Sequence, residues 1–183
     1  MATWHTGRLL VAMPVLEDPT FARAVVLLID HDEDGALGVV LNRASEVPVT
    51  EATDRLLDLV PAPDVLFGGG PVEPEAVVAI GRAHDDAVRS ETTFVEGLRL
   101  VDLDQDPVLA GVELTQVRLF AGYAGWAPGQ LEHELWNGAW AVVDSEPSDV
   151  FTPRPETLWR DVLARQSGRL RLLADYPADV HLN

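Results

Sequence analysis

Two apolar runs, "AVVLLID" at 24–30 and "ALGVVLN" at 36–42, flank the polar stretch "HDEDG". Both are rich in β-branched residues, and each is far shorter than the ~20 apolar residues a membrane-spanning helix needs. A hairpin is the economical reading, with Gly35 able to supply a positive φ in the turn. That commits the chain to an antiparallel sheet. Further strands are expected at "GRLLVAM", stopped by Pro14, and at "DVLF", "EAVVAIGRA", "FVEGLRLVDL", "TQVRLFAGY" and "AWAVVD". Helical spacing appears twice outside the glycine-rich region. "TEATDRLLDLV" places Ala52, Leu56, Leu59 and Val60 together, with Thr50 as N-cap and Pro61 as stop, and "RPETLWRDVLARQ" places Leu158, Trp159, Val162 and Leu163 on one face behind Pro155. Strands and helices do not alternate regularly, so the fold class is α+β, with a large mixed, mostly antiparallel sheet flanked by helices. No repeat or linker interrupts the 183 residues, which read as one domain over 1–183. The polar loop 84–93 is the expected mobile segment.

Several chemistries are excluded by residue type. The chain has no cysteine, and all 13 basic residues are arginine. Disulfides, thiolate metal sites, cysteine nucleophiles, Schiff-base lysines and the P-loop lysine are all removed. None of the serines, at 45, 90, 145, 148 and 167, lies in G-x-S-x-G, so no nucleophile elbow exists. The five histidines are scattered singly, and "HELWN" puts Asn137 where a zinc-protease helix needs its second histidine. Asp30, Asp32, Asp34 and Gly35 open like a calcium loop, but the twelfth position, which needs a bidentate glutamate, is Leu41. No catalytic residue, metal or cofactor is therefore assigned. The formal net charge of −17 opposes contact with a phosphate backbone, so direct nucleic-acid binding is not expected. The arginines at 160, 165, 169 and 171 read as a solvated helix face and its exit. A start without a basic segment or long apolar run leads to the expectation of a cytosolic chain with no membrane association.

The densest stretch is "FAGYAGWAPGQLEHELWNGAWAVV" at 120–143. "PGQLEHELWNG" reads as a short helix from Pro128, closed by Asn137-Gly138. A helical wheel from Leu131 sets Leu135 and Trp136 on an apolar arc with Glu132 between them. His133 and Glu134 fall on the solvated side. A carboxylate in such a setting needs an arginine, backbone donors or a raised pKa, so Glu132 is the residue to watch. Trp126, Trp136 and Trp140 are expected to be core or pocket-wall residues. "GGGPVEPE" lacks the spacing of a dinucleotide or P-loop signature and reads as a backbone crossing or sharp turn.

Together, "GRLLVAMPVLEDPTFARAVVLLIDHDEDGALGVVLNR", "FGGGPVEPE", "GYAGWAPGQLEHELWNGAW" and the terminal "LN" resemble the YqgE/AlgH family of bacterial proteins along nearly the whole chain. The resemblance implies a single-domain α+β fold, a cytosolic bacterial protein and no established enzymatic activity. Some members of the family are described as transcriptional regulators. Its recurring residues fall on Asn42, Arg43, Gly69, Gly70, Pro71, Gly125, Trp126, Gly129, Gln130, Leu131 and Glu132. The leading expectation is a non-enzymatic binding or regulatory protein that acts through a protein partner or small ligand. Its candidate ligand-binding residues are Asn42, Arg43, Gly69, Gly70, Trp126, Gln130 and Glu132. The alternatives are a hydrolase or lyase using Glu132 as acid-base, and transcriptional regulation by family association.

Overall fold

Apolar runs long enough to cross a sheet, and apolar on successive residues, form strands that are covered on both faces. The strand Val25–Asp32 (β2) is the clearest case: Val25 through Leu28 have no exposed surface. Successive strand residues point to opposite faces. Val25, Leu27 and Ile29 accordingly pack with Leu158, Trp159, Val162 and Leu163, whereas Val26 and Leu28 pack with Trp126, Leu131 and Trp140. A computed structural model describes residues 3–83, 93–95, 97–104 and 113–177 of the chain. The expected mobile loop, except Thr93, lies outside the described residues.

The strands are Arg8–Ala12 (β1), β2, Gly35–Val40 (β3), Ala44–Pro48 (β4), Val65–Gly68 (β5), Val72–Ala83 (β6), Thr93–Val95 (β7), Leu98–Val101 (β8), Leu114–Trp126 (β9) and Trp140–Asp144 (β10). They form a ten-stranded sheet in the order β10-β1-β2-β3-β9-β6-β8-β7, with β5 beside β9 and β4 beside β5. All of these pairs are antiparallel except the parallel contact of β5 with β9, so the sheet is mixed and mostly antiparallel, as the sequence predicts. The hairpin is tighter than "HDEDG" suggested. Asp32 pairs with Gly35, leaving Glu33-Asp34 as the turn, and the register shifts between Leu28 and Asp30.

Helices Gln130–Trp136 (α1), Pro147–Val150 (α2), Leu158–Ala164 (α3) and Gly168–Leu173 (α4) flank the sheet. Among the described residues no helix is long and apolar enough to cross a membrane. α3 buries Leu158, Trp159, Val162 and Leu163, the face its spacing predicts. Arg165 is less solvated than expected: it makes a forked bond to the buried Asp149 carboxylate, 2.6 and 2.7 Å, and so ties α3 to α2. The expected helix at 50–60 is replaced by two 3-10 turns, Val49–Glu51 and Leu57–Leu59. Thr53 Oγ1 accepts the Arg55 backbone N–H at 3.2 Å, a local bond that competes with helical pairing. A segment this short has little cooperative reserve to resist it. Its apolar residues still do what their spacing demands, since Val49 and Leu56 are buried with Leu66, Val117 and Leu119.

"GGGP" forms a backbone crossing, as the sequence predicts. A Cβ on Gly69 would stand 2.2 Å from the Gly122 carbonyl oxygen, and one on Gly70 would stand 2.2 Å from the Tyr123 carbonyl carbon. Gly69 also donates its N–H to Ala121 and accepts from Val40, so the crossing joins the strand ends by hydrogen bonds.

Candidate functional site

The seven candidate residues fall in three places: the crossing just described, α1 with the strand leading into it, and the turn before β2 where it meets the end of β3. α1 is the shortest route from sequence to geometry. Gly138 takes φ 71°, and the Gly138 and Ala139 N–H groups return to the carbonyls of Leu135 and Glu134, both at 3.0 Å. This is the Schellman closure that Asn137-Gly138 predicts.

The buried face of α1 is rotated from the wheel's prediction. Leu131 is buried, but Trp136 is 88% exposed. Glu134, expected in solvent, turns inward. Its Oε2 accepts the indole N–H of Trp126 at 2.9 Å and of Trp140 at 2.8 Å, while its Oε1 accepts from Gln130 at 3.0 Å. Both indoles are buried and pack edge-to-face with centroids 6.1 Å apart. A buried indole N–H left unbonded is costly, so this one carboxylate satisfies two large core side chains at once.

Glu132 is half exposed, and its Oε1 lies 2.9 Å from His31 Nε2. His31 is buried, and its Nδ1 accepts the His5 backbone N–H at 3.1 Å. A backbone N–H can only donate, so the neutral ring with its proton on Nε2 fits both bonds. The Glu132 carboxyl is held below its ordinary 4.5, first by its own backbone N–H at the helix start and then by His31. Such a group is ionised at neutral pH and has no proton to give as a general acid.

The third place lies on the other face of the sheet. Asn42 is buried and bridges the chain. Its Oδ1 accepts Val25 N–H at 3.0 Å, and its Nδ2 donates to the Arg23 carbonyl at 2.9 Å. Arg23 has φ 55°, a left-handed conformation that is costly for a side chain of this size, and Asn42 holds it there. Arg43 donates to the carbonyls of Ala22 at 2.5 Å and Asn42 at 3.4 Å. These residues, with Ala22, Glu156, Trp159 and Arg160, line a cleft of about 330 Å³. The Arg23 guanidinium lies 4.5 Å above the Trp159 ring and bonds to the Tyr176 carbonyl at 2.6 Å. Arg160 pairs with Asp175 at 3.1 Å on the exposed rim.

Among the described residues neither Arg23 nor Arg43 has a carboxylate within ion-pair distance, although the chain carries 30 acidic residues. Burial, which strips water from the cation, lowers the pKa of Arg43 below its ordinary value. Arg118 is a useful contrast. It is fully buried, its pKa pushed down to about 10 by burial, and its guanidinium is spent on the carbonyls of Ala62, Pro63 and Thr152 and on the Phe67 ring. Arg118 staples loops, whereas Arg23 and Arg43 front an open space.

A family model described as AlgH-like matches residues 9–171. The chain belongs to the AlgH-like family. UPF0301 proteins of Streptomyces avermitilis and Streptomyces coelicolor are each 52% identical to it over 183 residues, covering 97% of this chain and 95% of theirs. A crystal structure of a Corynebacterium diphtheriae protein, 37% identical, superposes with a TM-score of 0.87 over 96% of this chain and 94% of that one. The solution structure of AlgH from Pseudomonas aeruginosa, 30% identical, gives 0.70 over 98% and 97%.

In this AlgH-like chain the structure thus brings Asn42 and Arg43 together with Arg23, Trp159 and Arg160, and brings Trp126, Gln130 and Glu132 together with Glu134 and His31. Sequence reasoning did not single out Arg23, Glu134, His31 or Trp159 as site residues. Arg23 could have been flagged, since it directly precedes the apolar run "AVVLLI" that opens β2. The partnership of His31 with Glu132 spans 101 positions and left no local signal. Among the described residues no group of three His, Asp or Glu side chains is disposed to hold a metal ion.

Proposed function

We propose that this chain is a cytosolic, non-enzymatic binding or regulatory protein that folds as one domain and takes a small anionic ligand in the Arg23–Arg43–Arg160 cleft. The observation that carries this reading is the pair of guanidiniums, Arg23 and Arg43, that have no carboxylate partner among the described residues and are fixed at the mouth of a cleft in a chain of net charge −17. So acidic a surface could neutralise both at little cost, yet the nearest bonds they make go to backbone carbonyls. Fixed, partly dehydrated cations are the arrangement that recognises an anion with least reorganisation. Asn42 takes the role of holding the Arg23 backbone, and Arg43 that of contacting the ligand. Gly69 and Gly70 let the neighbouring strands cross, and Trp126 and Gln130 support α1 through Glu134. Glu132 serves as a partner of His31, rather than as an acid-base group.

Thermal unfolding in the presence of simple carboxylate, sulfate and phosphate salts tests the reading, with sodium chloride matching ionic strength. Specific binding raises Tm by mass action. The rise should shrink in Arg160→Gln, whose side chain is exposed on the rim, and grow in Glu156→Gln, which removes a carboxylate that lines the cleft. No anion-specific rise in any of the three proteins would overturn it.

A further inference from the structure

Resting on the anionic-ligand reading, we infer that the ligand is a small phosphate monoester bearing a hydroxyl or amine, with its phosphate held by Arg23 and Arg43 and its donor group facing Glu156. The first argument is charge. Arg23 and Arg43 together carry two positive charges that no carboxylate balances among the described residues, while Arg160 already has Asp175. A dianionic head group matches them, and a single carboxylate matches only half.

The second argument is rigidity. Arg43 is tethered through the carbonyls of Ala22 and Asn42, and Arg23 through the Tyr176 carbonyl and the Trp159 ring. Two tethered planar forks lining one cleft keep N–H donors beyond those spent on the carbonyls, which suits a head group with three acceptor oxygens. The third argument is size: about 330 Å³ sits at the small end of the range of about 300–1,000 Å³ for ligand pockets. The space admits a small metabolite and leaves an extended ligand outside. The fourth argument is the exception to the cleft's charge. Glu156 lines the same space without pairing to Arg23 or Arg43, and so remains available to accept a hydrogen bond from the ligand.

Isothermal titration with inorganic phosphate, glycerol phosphate and the dicarboxylate malonate tests this on the full chain. Glycerol phosphate should bind more tightly than inorganic phosphate, and each should weaken as pH falls and its dianion takes up a proton, at about 6 for the monoester and about 7 for inorganic phosphate. Arg43→Gln should weaken phosphate by about tenfold, and Arg160→Gln, whose charge is shared with exposed Asp175, by only about twofold. Asp175→Asn, which frees Arg160 from its exposed partner, should tighten it by about threefold. Glu156→Gln should bind inorganic phosphate more tightly but lose the preference for glycerol phosphate. Malonate binding with no heat from either phosphate would overturn the phosphate inference and leave the anion-binding cleft standing. Failure of all three anions would overturn both. A preference for glycerol phosphate that survives Glu156→Gln would overturn the role given to Glu156.

Discussion

The two faces of the sheet treat their polar groups in opposite ways. On the α1 face, the Trp126 and Trp140 indoles meet in one carboxylate and His31 has a partner at each ring nitrogen. On the cleft face, two guanidiniums meet backbone carbonyls and the Trp159 ring but, among the described residues, no carboxylate. The first region closes its hydrogen bonds on itself and so reads as architecture. The second has, among the described residues, positive charge that no carboxylate balances at an open space, which folding alone does not require. The lesson is that conspicuous composition can mark a packing solution, while a modest "NR" at a strand end can sit beside an open cleft.

The strongest way to break this contrast is through the tryptophans. Trp140→Ala should destabilise by about 3–5 kcal/mol in urea unfolding, because a buried indole packed against Trp126 and Phe21 is lost. A loss below about 1 kcal/mol would mean that the α1 face is loosely packed. Glu134→Ala should cost about 2–3 kcal/mol by stranding two indole donors. Near-neutrality would show that water replaces the carboxylate and that this face is open. Trp136→Ala should change stability by less than about 0.5 kcal/mol, since its side chain is exposed.

The smallest effect concerns Glu132. Its folded pKa lies below 4.5, so the stability it contributes is present above that value and is lost as pH falls through the lowered folded value. Glu132→Gln should therefore flatten the acid limb of stability below about pH 4.5. At neutral pH the change should be only about a few tenths of a kcal/mol, because the carboxylate is half exposed and screened by solvent. An unaltered acid limb would remove the His31–Glu132 bond from the account.

Much of the fold was legible because local rules and tertiary packing agree there. The β2–β3 hairpin, the α3 face and the Asn137-Gly138 closure all follow from period, turn chemistry and capping. β4 was missed, since "ASEVP" has neither alternation nor an apolar run and is defined by its pairing with β5. The α1 wheel went astray for a different reason. At about 100° per residue, Leu131 and Leu135 fit an arc centred toward either Trp136 or Glu134. Hydrophobicity favoured the tryptophan. The deciding partners, Trp126 and Trp140, lie outside the helix and want an acceptor, which a one-helix pattern does not register. The cleft assembles residues 23, 43 and 160, whose spacing reflects topology alone, so only the Asn42-Arg43 part stands out in the sequence, and that by the family resemblance.

Nuclear magnetic resonance of the tryptophan indole and arginine side-chain N–H groups during a phosphate titration tests the contrast most directly. Each face has its own reporters: Trp159, bonded to the Ala12 carbonyl at 2.8 Å, with Arg23 and Arg43 on one side, and Trp126 with Trp140 on the other. The account predicts saturable shifts of the Trp159, Arg23 and Arg43 signals while those of Trp126 and Trp140 stay in place. Shifts confined to Trp126 and Trp140, with the cleft signals unmoved, would contradict it.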